Sequence, residues 1–347
     1  MINLNSYYPW LRADNLSTLA LWGIALFSVL VFLYSFRFMA GRPQNAQYYV
    51  CMMLTAVASW GAVVANHLIL LLAFWGFLGL TLFLLINIQG GESAAAAKKS
   101  LLIVGGSDIL MILGIGIIYY LTRELQIDKI RLELNSGLSV LAYLCLALAC
   151  FAKAGAMPLH SWIPDCVEKA PVPVAAYLPS SLDKLLGVYL LVRLSTDMFV
   201  LNDEMGVFLM AIGALTIVAA VMMAMIQKNM KRLLGYSTVS QVGYMILGIG
   251  TGNPIGLAGG LFHMLNHAIY KCCLFLTAGN VEYRRQTSDL ESLGGLARPM
   301  PATYLSSLVA SLSISGVPGF SGFVSKWLIY QGVLFYALNA ASAVQTL

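Results

Sequence analysis

The sequence predicts an all-α protein, a polytopic membrane bundle of about ten transmembrane helices, and three observations predict it. Of its 347 residues, 59% are hydrophobic and only 10% charged, with a mean hydropathy of +0.80. A soluble domain carries about 25% charged residues. Apolar runs of about 20 residues, each long enough to cross a bilayer, follow one another along the whole chain. The basic residues sit mostly between those runs, which is the pattern that orients membrane proteins. The net charge of +5 is small and distributed in this way, so the partner it implies is the lipid bilayer and not a nucleic acid.

Taken in order, the expected spans lie at about 17–38, 48–66, 67–88, 100–122, 137–157, 174–195, 205–226, 233–250, 256–278 and 302–340. The last is broken near its middle, because the run Ser313-Ile314-Ser315-Gly316-Val317-Pro318-Gly319-Phe320-Ser321-Gly322 is too rich in Gly and Pro for one continuous helix. The polar connection from Thr122 to Ser136 mixes charges of both signs and reads as a solvated surface loop. Gly248-Ile249-Gly250-Thr251-Gly252 has the glycines of a nucleotide loop but follows an apolar helix rather than a strand, so it reads as a tight turn. The cysteines Cys51, Cys145, Cys150, Cys166, Cys272 and Cys273 form no CxxC pair, and most fall in apolar runs. They read as small hydrophobes, not as a disulfide framework or an iron–sulfur site. The N-terminus has no basic segment leading to a small-residue cleavage site, so no cleaved signal peptide is expected.

Lysine and arginine set the orientation. Arg37, Arg42, Lys98, Lys99, Lys169, Lys228, Lys231, Arg232, Arg284, Arg285 and Arg298 fall on one side, and Arg12, Arg123, Lys129, Arg131 and Arg193 on the other. The richer side is expected to be cytoplasmic, with the N-terminus outside.

Four lysines, Lys153, Lys184, Lys271 and Lys326, fall inside spans. A charge within hydrocarbon costs about 2.5–3.5 kcal/mol on insertion scales, so it seldom sits there without partners or function. Lys98 and Lys99 lie beside a Ser/Ala-rich turn and can lift their ammoniums to the headgroups. Lys184 and Lys271 have apolar residues for a turn or more on both sides, and Lys153 and Lys326 each adjoin a helix break. The stretch from Phe151 to Arg193 concentrates these features: Pro158, Pro164, Pro171, Pro173 and Pro179 interrupt it, and His160, Trp162 and Asp165 form a polar cluster between Lys153 and Asp183-Lys184. Broken backbone at membrane depth is tolerated where protein or water satisfies the freed groups. His263, His267 and Lys271 recur every four residues and drift only about 80° around a helix, so they share one face. Three titratable groups on one stripe suit a proton relay; a metal site would need further ligands that the sequence does not offer nearby. Two carboxylates are candidate counter-ions for Lys153, Asp108 and Asp183. Asp108 is the favoured one, because its span immediately precedes that of Lys153, whereas Asp183 points about 100° away from its neighbour Lys184.

At these residues the chain resembles a known family, the proton-conducting, antiporter-like subunits of respiratory complex I. Related subunits occur in Mrp-type cation/proton antiporters and in energy-converting membrane-bound nickel–iron hydrogenases. The stretch from Ala152 to Asp165, AKAGAMPLHSWIPD, resembles the family's broken-helix signature. The run from Lys231 to Gln241, KRLLGYSTVSQ, is similar to its "KRLLAYS..SQ" element. His267-Ala268-Ile269-Tyr270-Lys271 resembles "HA.FK", and Gly319 to Lys326, GFSGFVSK, resembles "GF.SK". Leu182 to Gly187, LDKLLG, with Glu282-Tyr283-Arg284 later, looks closest to the hydrogenase-type branch.

The resemblance covers nearly the whole chain. It implies one integral-membrane domain of two inverted five-helix repeats, at about 40–195 and 205–340, each with one broken helix. Family members have about fourteen helices, and this chain matches the third to the twelfth. The implied function is translocation of a proton or sodium ion within a multi-subunit redox complex of a prokaryotic inner or cell membrane. Lys153, Lys184, His263, His267, Lys271 and Lys326 would line one continuous polar axis, with Asp108, Asp183 and His160 beside it. No cofactor motif is present, so electron transfer is expected in other membrane and peripheral subunits. One departure stands out: relatives carry a glutamate after the tryptophan that matches Trp75, as charge partner of the lysine matching Lys153, and here Gly76 follows Trp75. That departure supports a rival reading, a scaffold subunit that has lost pumping. A second rival is a subunit of an Mrp-type antiporter.

Overall fold

A computed structural model describes residues 9–345 and divides the chain into two compact units, Met1–Val200 and Leu201–Leu347. The first unit begins with α1 (Asn15–Phe38), whose N-terminal N–H groups are capped by the Asp14 carboxylate accepting from Ser17 N at 2.9 Å. Helices α2 (Asn45–Val64) and α3 (Leu68–Ile86) form a tight hairpin, in which the His67 ring caps α3 by accepting from Ile69 N. Helix α4 (Glu92–Ser100) runs through a five-residue π turn, Leu101–Gly105, into α5 (Gly106–Thr122). Helix α6 (Gly137–Ala154) starts in a reciprocal Ser136/Ser139 capping box and stops at Gly155, whose left-handed φ of 78° ends the helix.

The second half of the unit is broken backbone buried in protein. Two short helices, α7 (Trp162–Lys169) and α8 (Val172–Tyr177), lead into a π turn at Leu178–Leu182, and α9 (Asp183–Arg193) follows. Pro179 cannot donate to the helical ladder, and in the same turn the Ala176 carbonyl accepts from the hydroxyls of Ser180 and, at 2.9 Å, Ser181. Every residue of α8, the π turn and α9 is buried.

The connection from Thr122 to Ser136 is more ordered than a solvated loop. Ile127, Ile130 and Leu134 are buried, Ile127 N donates to Asn66 O, and Leu132–Glu133 pairs in parallel with Phe199–Val200. Its apolar residues cover the ends of α2 and α3, a role that its mixed charges concealed.

The second unit consists of α10 (Asp203–Met225), α11 (Met230–Gly250), α12 (Pro254–Arg285), α13 (Pro301–Ser315) and α14 (Ser321–Gln345). Asn202, Asn229 and Asn253 each cap the helix that follows, accepting from the N–H three residues on. Gly243 lets α11 approach α10 so closely that a Cβ there would lie 2.5 Å from Gly213 O. The expected break in the last span falls between α13 and α14, with Gly316 at φ 80° and Gly319 at φ 94°.

Among the described residues, six helical segments are both long and apolar enough to cross a membrane: 15–38, 45–64, 68–89, 92–122, 137–154 and 203–225. These match six of the ten expected spans. The other four are helical, but two are interrupted, at 178–182 and 316–320, and the two formed by α11 and α12 carry more polar residues.

Candidate functional site

Within the first unit the structure brings together Lys153 from α6 and Asp183 from α9. Both are fully buried, with Lys153 Nζ 4.0 Å from Asp183 Oδ1. On sequence Asp183 is the less favoured of the two counter-ions, and the ion pair corrects that preference. The five-residue π turn just before α9 sets the phase at which Asp183 faces Lys153, while Lys184 reaches the end of α6 beside Gly155. Asp108 acts on Lys153 electrostatically but forms no ion pair with it within 4.0 Å. Its Oδ2 instead lies over the two glycines of α3, where a Cβ on Gly76 or Gly79 would be 3.9 or 3.8 Å away. The carboxylate from α5 therefore lies within van der Waals contact of a side chain at position 76.

Lys184 is also fully buried, its ammonium 5.5 Å from the Trp162 ring centroid and 3.3 Å from where a Cβ on Gly155 would stand. Trp75 does the same for Lys153, at 5.1 Å. No hydrogen bond reaches Lys153 Nζ, Lys184 Nζ, Asp108 Oδ1 or either carboxylate oxygen of Asp183. Buried polar groups are normally hydrogen-bonded, and this concentration of groups without hydrogen bonds marks a site.

His160 stands apart from that cluster. It lies in the turn after α6, half-buried, with Lys99 as its charged neighbour. Lys99 is paired with Asp165 at 2.6 Å, so its ammonium is held by α7 and not released to the headgroups; Lys98 is exposed. A second pair, Lys169 to Glu92 at 2.8 Å, joins the same two short helices.

In the second unit, His263, His267 and Lys271 share one face of α12 and are fully buried. His263 sits between Ser325 Oγ, 2.9 Å from Nδ1, and Gln241 Oε1, 3.2 Å from Nε2, which also accepts from Tyr270 OH at 3.3 Å. His267 packs edge-on against Tyr270 at 5.7 Å. Lys271 Nζ donates to Leu234 O at 2.9 Å and to Ser237 Oγ. Lys326, at the start of α14, donates to Ile314 O at 2.7 Å across the helix break and lies 4.8 Å from the Tyr244 ring centroid. The break expected from the Gly/Pro run thus leaves a helix-end carbonyl that accepts from a lysine. Gln241, Ser237, Tyr244, Tyr270 and Ser325 join the site without any sign of it in their own residue types. Gln241, Ser237, Tyr270 and Ser325 lie in the motifs quoted above, but nothing in their spacing says which histidine or lysine they meet.

Taken separately, each unit holds fully buried lysine, Lys153 and Lys184 beside helix breaks in the first and Lys271 within α12 in the second, where half-buried Lys326 stands at the break. In the first a carboxylate faces them, and in the second carbonyls, hydroxyls and imidazoles. Such groups can exchange protons and, among the described residues, no group of three or more His, Cys, Asp or Glu could hold a metal ion.

Comparison with known proteins shows the family. Residues 65–346 match the family model described as NADH:quinone oxidoreductase/Mrp antiporter, TM. A Na(+)/H(+) antiporter protein of Alkalihalophilus pseudofirmus is 32% identical over 344 residues, covering 92% of this chain and 42% of that protein. Hydrogenase-4 component B of Escherichia coli is 32% identical over 353 residues, covering 96% and 52%. The chain thus spans about half the length of these curated relatives. Among solved structures, the Mrp complex from Dietzia sp. DQ12-45-1b superposes with a TM-score of 0.87 at 28% identity, over 93% of this chain and 36% of that one. The archaeal membrane-bound sulfane sulfur reductase does so with a TM-score of 0.83 at 28% identity, over 93% and 67%. This chain belongs to the NADH:quinone oxidoreductase/Mrp antiporter family of membrane proteins.

Proposed function

We propose that the chain is an ion-translocating membrane component of a larger complex, either a redox complex of the complex I or membrane-bound hydrogenase type or an Mrp-type cation/proton antiporter. The observation that carries this is the burial of Lys153, Lys184 and Lys271, all at 0% exposure, inside a family of membrane proteins. Burial penalises an ammonium by desolvation, and that penalty brings such a group closer to exchanging its proton. Lys326, His263 and His267 extend the set of exchangeable groups in the second unit. Named relatives from the antiporter, quinone-reductase and hydrogenase branches stand between 29% and 32% identity, so the branch itself rests on companion subunits.

The test is proton flux in vesicles carrying the parent chain with its companions, followed with a pH-sensitive dye. Lys153→Met, Lys184→Met and Lys271→Met are each expected to lower it about a hundredfold while the complex still forms. A scaffold reading, favoured by Gly76 at the glutamate position of relatives, requires instead that flux be absent in the parent. A chain that transports when reconstituted alone would identify a self-sufficient transporter.

A further inference from the structure

We propose that Asp183 is the shared carboxylate of a proton step between Lys153 and Lys184, and that the ion passed at this step is a proton and not sodium. The inference rests on the ion-translocation reading and names the carrier and the ion within it. Asp183 and Lys184 are consecutive on α9, so their side chains leave the helix about 100° apart. Asp183 meets Lys153 at 4.0 Å, while the Lys184 ammonium lies against Gly155, two residues beyond Lys153. The two lysines therefore bracket the last turn of α6, and the Asp183 carboxylate acts electrostatically on both. Gly187 holds this arrangement close, since a Cβ there would stand 2.8 Å from Ala154 N.

Charge balance gives the carboxylate its role. Asp183 can neutralise one ammonium at a time. With Lys153 charged and Lys184 neutral, the Lys153 N–H bond breaks as an O–H bond forms on Asp183. That O–H bond then breaks as the Lys184 amine takes the same proton. Asp183 ends as it began, an anion, and the three groups keep their net charge while the ammonium moves from α6 to α9. The π turn at Leu178–Leu182, next to Asp183 in the chain, offers a segment whose register can adjust as the carboxylate turns between partners. The other groups facing this cluster are Asp108 on α5, which acts on Lys153 from above Gly76 and Gly79, and Cys166 on α7, which acts on both Asp183 and Lys184.

Sodium does not fit the same place. A hard cation takes several oxygen ligands, six or more in the calcium and magnesium cases. Here the Asp183 carboxylate faces the Lys153 ammonium at 4.0 Å and acts electrostatically on that of Lys184, with the rings of Trp75 and Trp162 beside the two lysines.

The experiment uses the full chain in its native complex, in vesicles, with proton flux and radioactive sodium flux followed in parallel. Asp183→Asn is expected to lower proton flux about a hundredfold, Asp183→Glu to restore part of it, and Asp108→Asn to lower it less. Infrared difference spectra of the purified parent between acid and alkaline pH should show a protonated-carboxyl band that disappears in Asp183→Asn. Its pH midpoint should move in both Lys153→Gln and Lys184→Gln, which a merely structural carboxylate would not do. Unchanged proton flux in Asp183→Asn, sodium flux that depends on Asp183, or a band indifferent to either lysine would overturn the proposal. A parent without any flux would remove the functional reading, and the infrared midpoints would still decide whether the two lysines share this carboxylate.

Discussion

Arg193, at the end of α9, shows what a fully satisfied buried charge looks like in this protein. Its Nε donates to Tyr189 OH at 3.0 Å, and its two terminal nitrogens donate to both carboxylate oxygens of Asp14, to Asp197 and to Ser17. Arg12 closes the network on the same two carboxylates at 3.0 Å. The contrast with Lys153 and Lys184 separates a clamp from a working site, since a guanidinium keeps its proton whereas a buried amine can give it up. Arg193→Ala should lower stability by about 2–3 kcal/mol, less than for a wholly buried pair because both carboxylates are partly exposed, and a thermal melt of the purified protein would show it. The clamp also has a pH signature. Burial pushes the Asp14 carboxyl up, but the Arg193 hydrogen bonds, the Ser17 N–H and the two guanidinium charges together hold it well below the usual carboxylate range. A depressed folded-state value gives stability that is present above the unfolded value of about 3.9 and is lost as the pH falls below it toward the folded one. Melting temperature should therefore hold from neutral pH down to about 4 and fall below that, and the fall should flatten in Asp14→Asn.

At the scale of elements, the contact between α6 and α9 decides whether Lys153 and Asp183 meet. Gly187 is the residue that permits it. A Cβ there would come within 2.8 Å of Ala154 N, 2.9 Å of Ala154 Cβ and 3.0 Å of Cys150 O, all of them on α6 and mostly backbone. The helices would have to separate, at a cost of about 1–3 kcal/mol for Gly187→Ala and more for a larger residue. That separation lengthens an ion contact already at 4.0 Å, so proton flux should fall along with the melting temperature. Flux that survives a clear loss of stability would show that the two helices work without this spacing.

For the whole molecule, the bias of eleven basic residues against five predicts an orientation that labelling can check. Asn135 and Lys228 are exposed, and five of the native cysteines are buried, with Cys273 half-buried. Asn135→Cys should react with an impermeant thiol reagent applied outside intact cells. Lys228→Cys should react only after the cytoplasmic face is opened, with the parent as blank for Cys273. The reverse pattern would invert the assignment and exchange the entry and exit sides of the proposed path.

By itself the sequence determined the class of protein, the positions of its apolar segments, the break at Gly316–Phe320 and the candidate lysines and histidines. Each of these follows from local chemistry: hydropathy over a span, glycine and proline in the backbone, and charges where water is scarce. The motifs also carried the family. The tertiary structure alone decided which carboxylate meets Lys153. Asp108 and Asp183 are equally acidic in the sequence, and the choice depends on a π turn that rephases α9 and on Gly187, which brings that helix against α6. It likewise decided that Gln241 and Ser325 flank His263, and that Ile127 and Ile130 bury a connection whose charges pointed to solvent. Contacts between residues far apart in the chain depend on helix phase and on which faces pack, and neither is encoded in any single stretch.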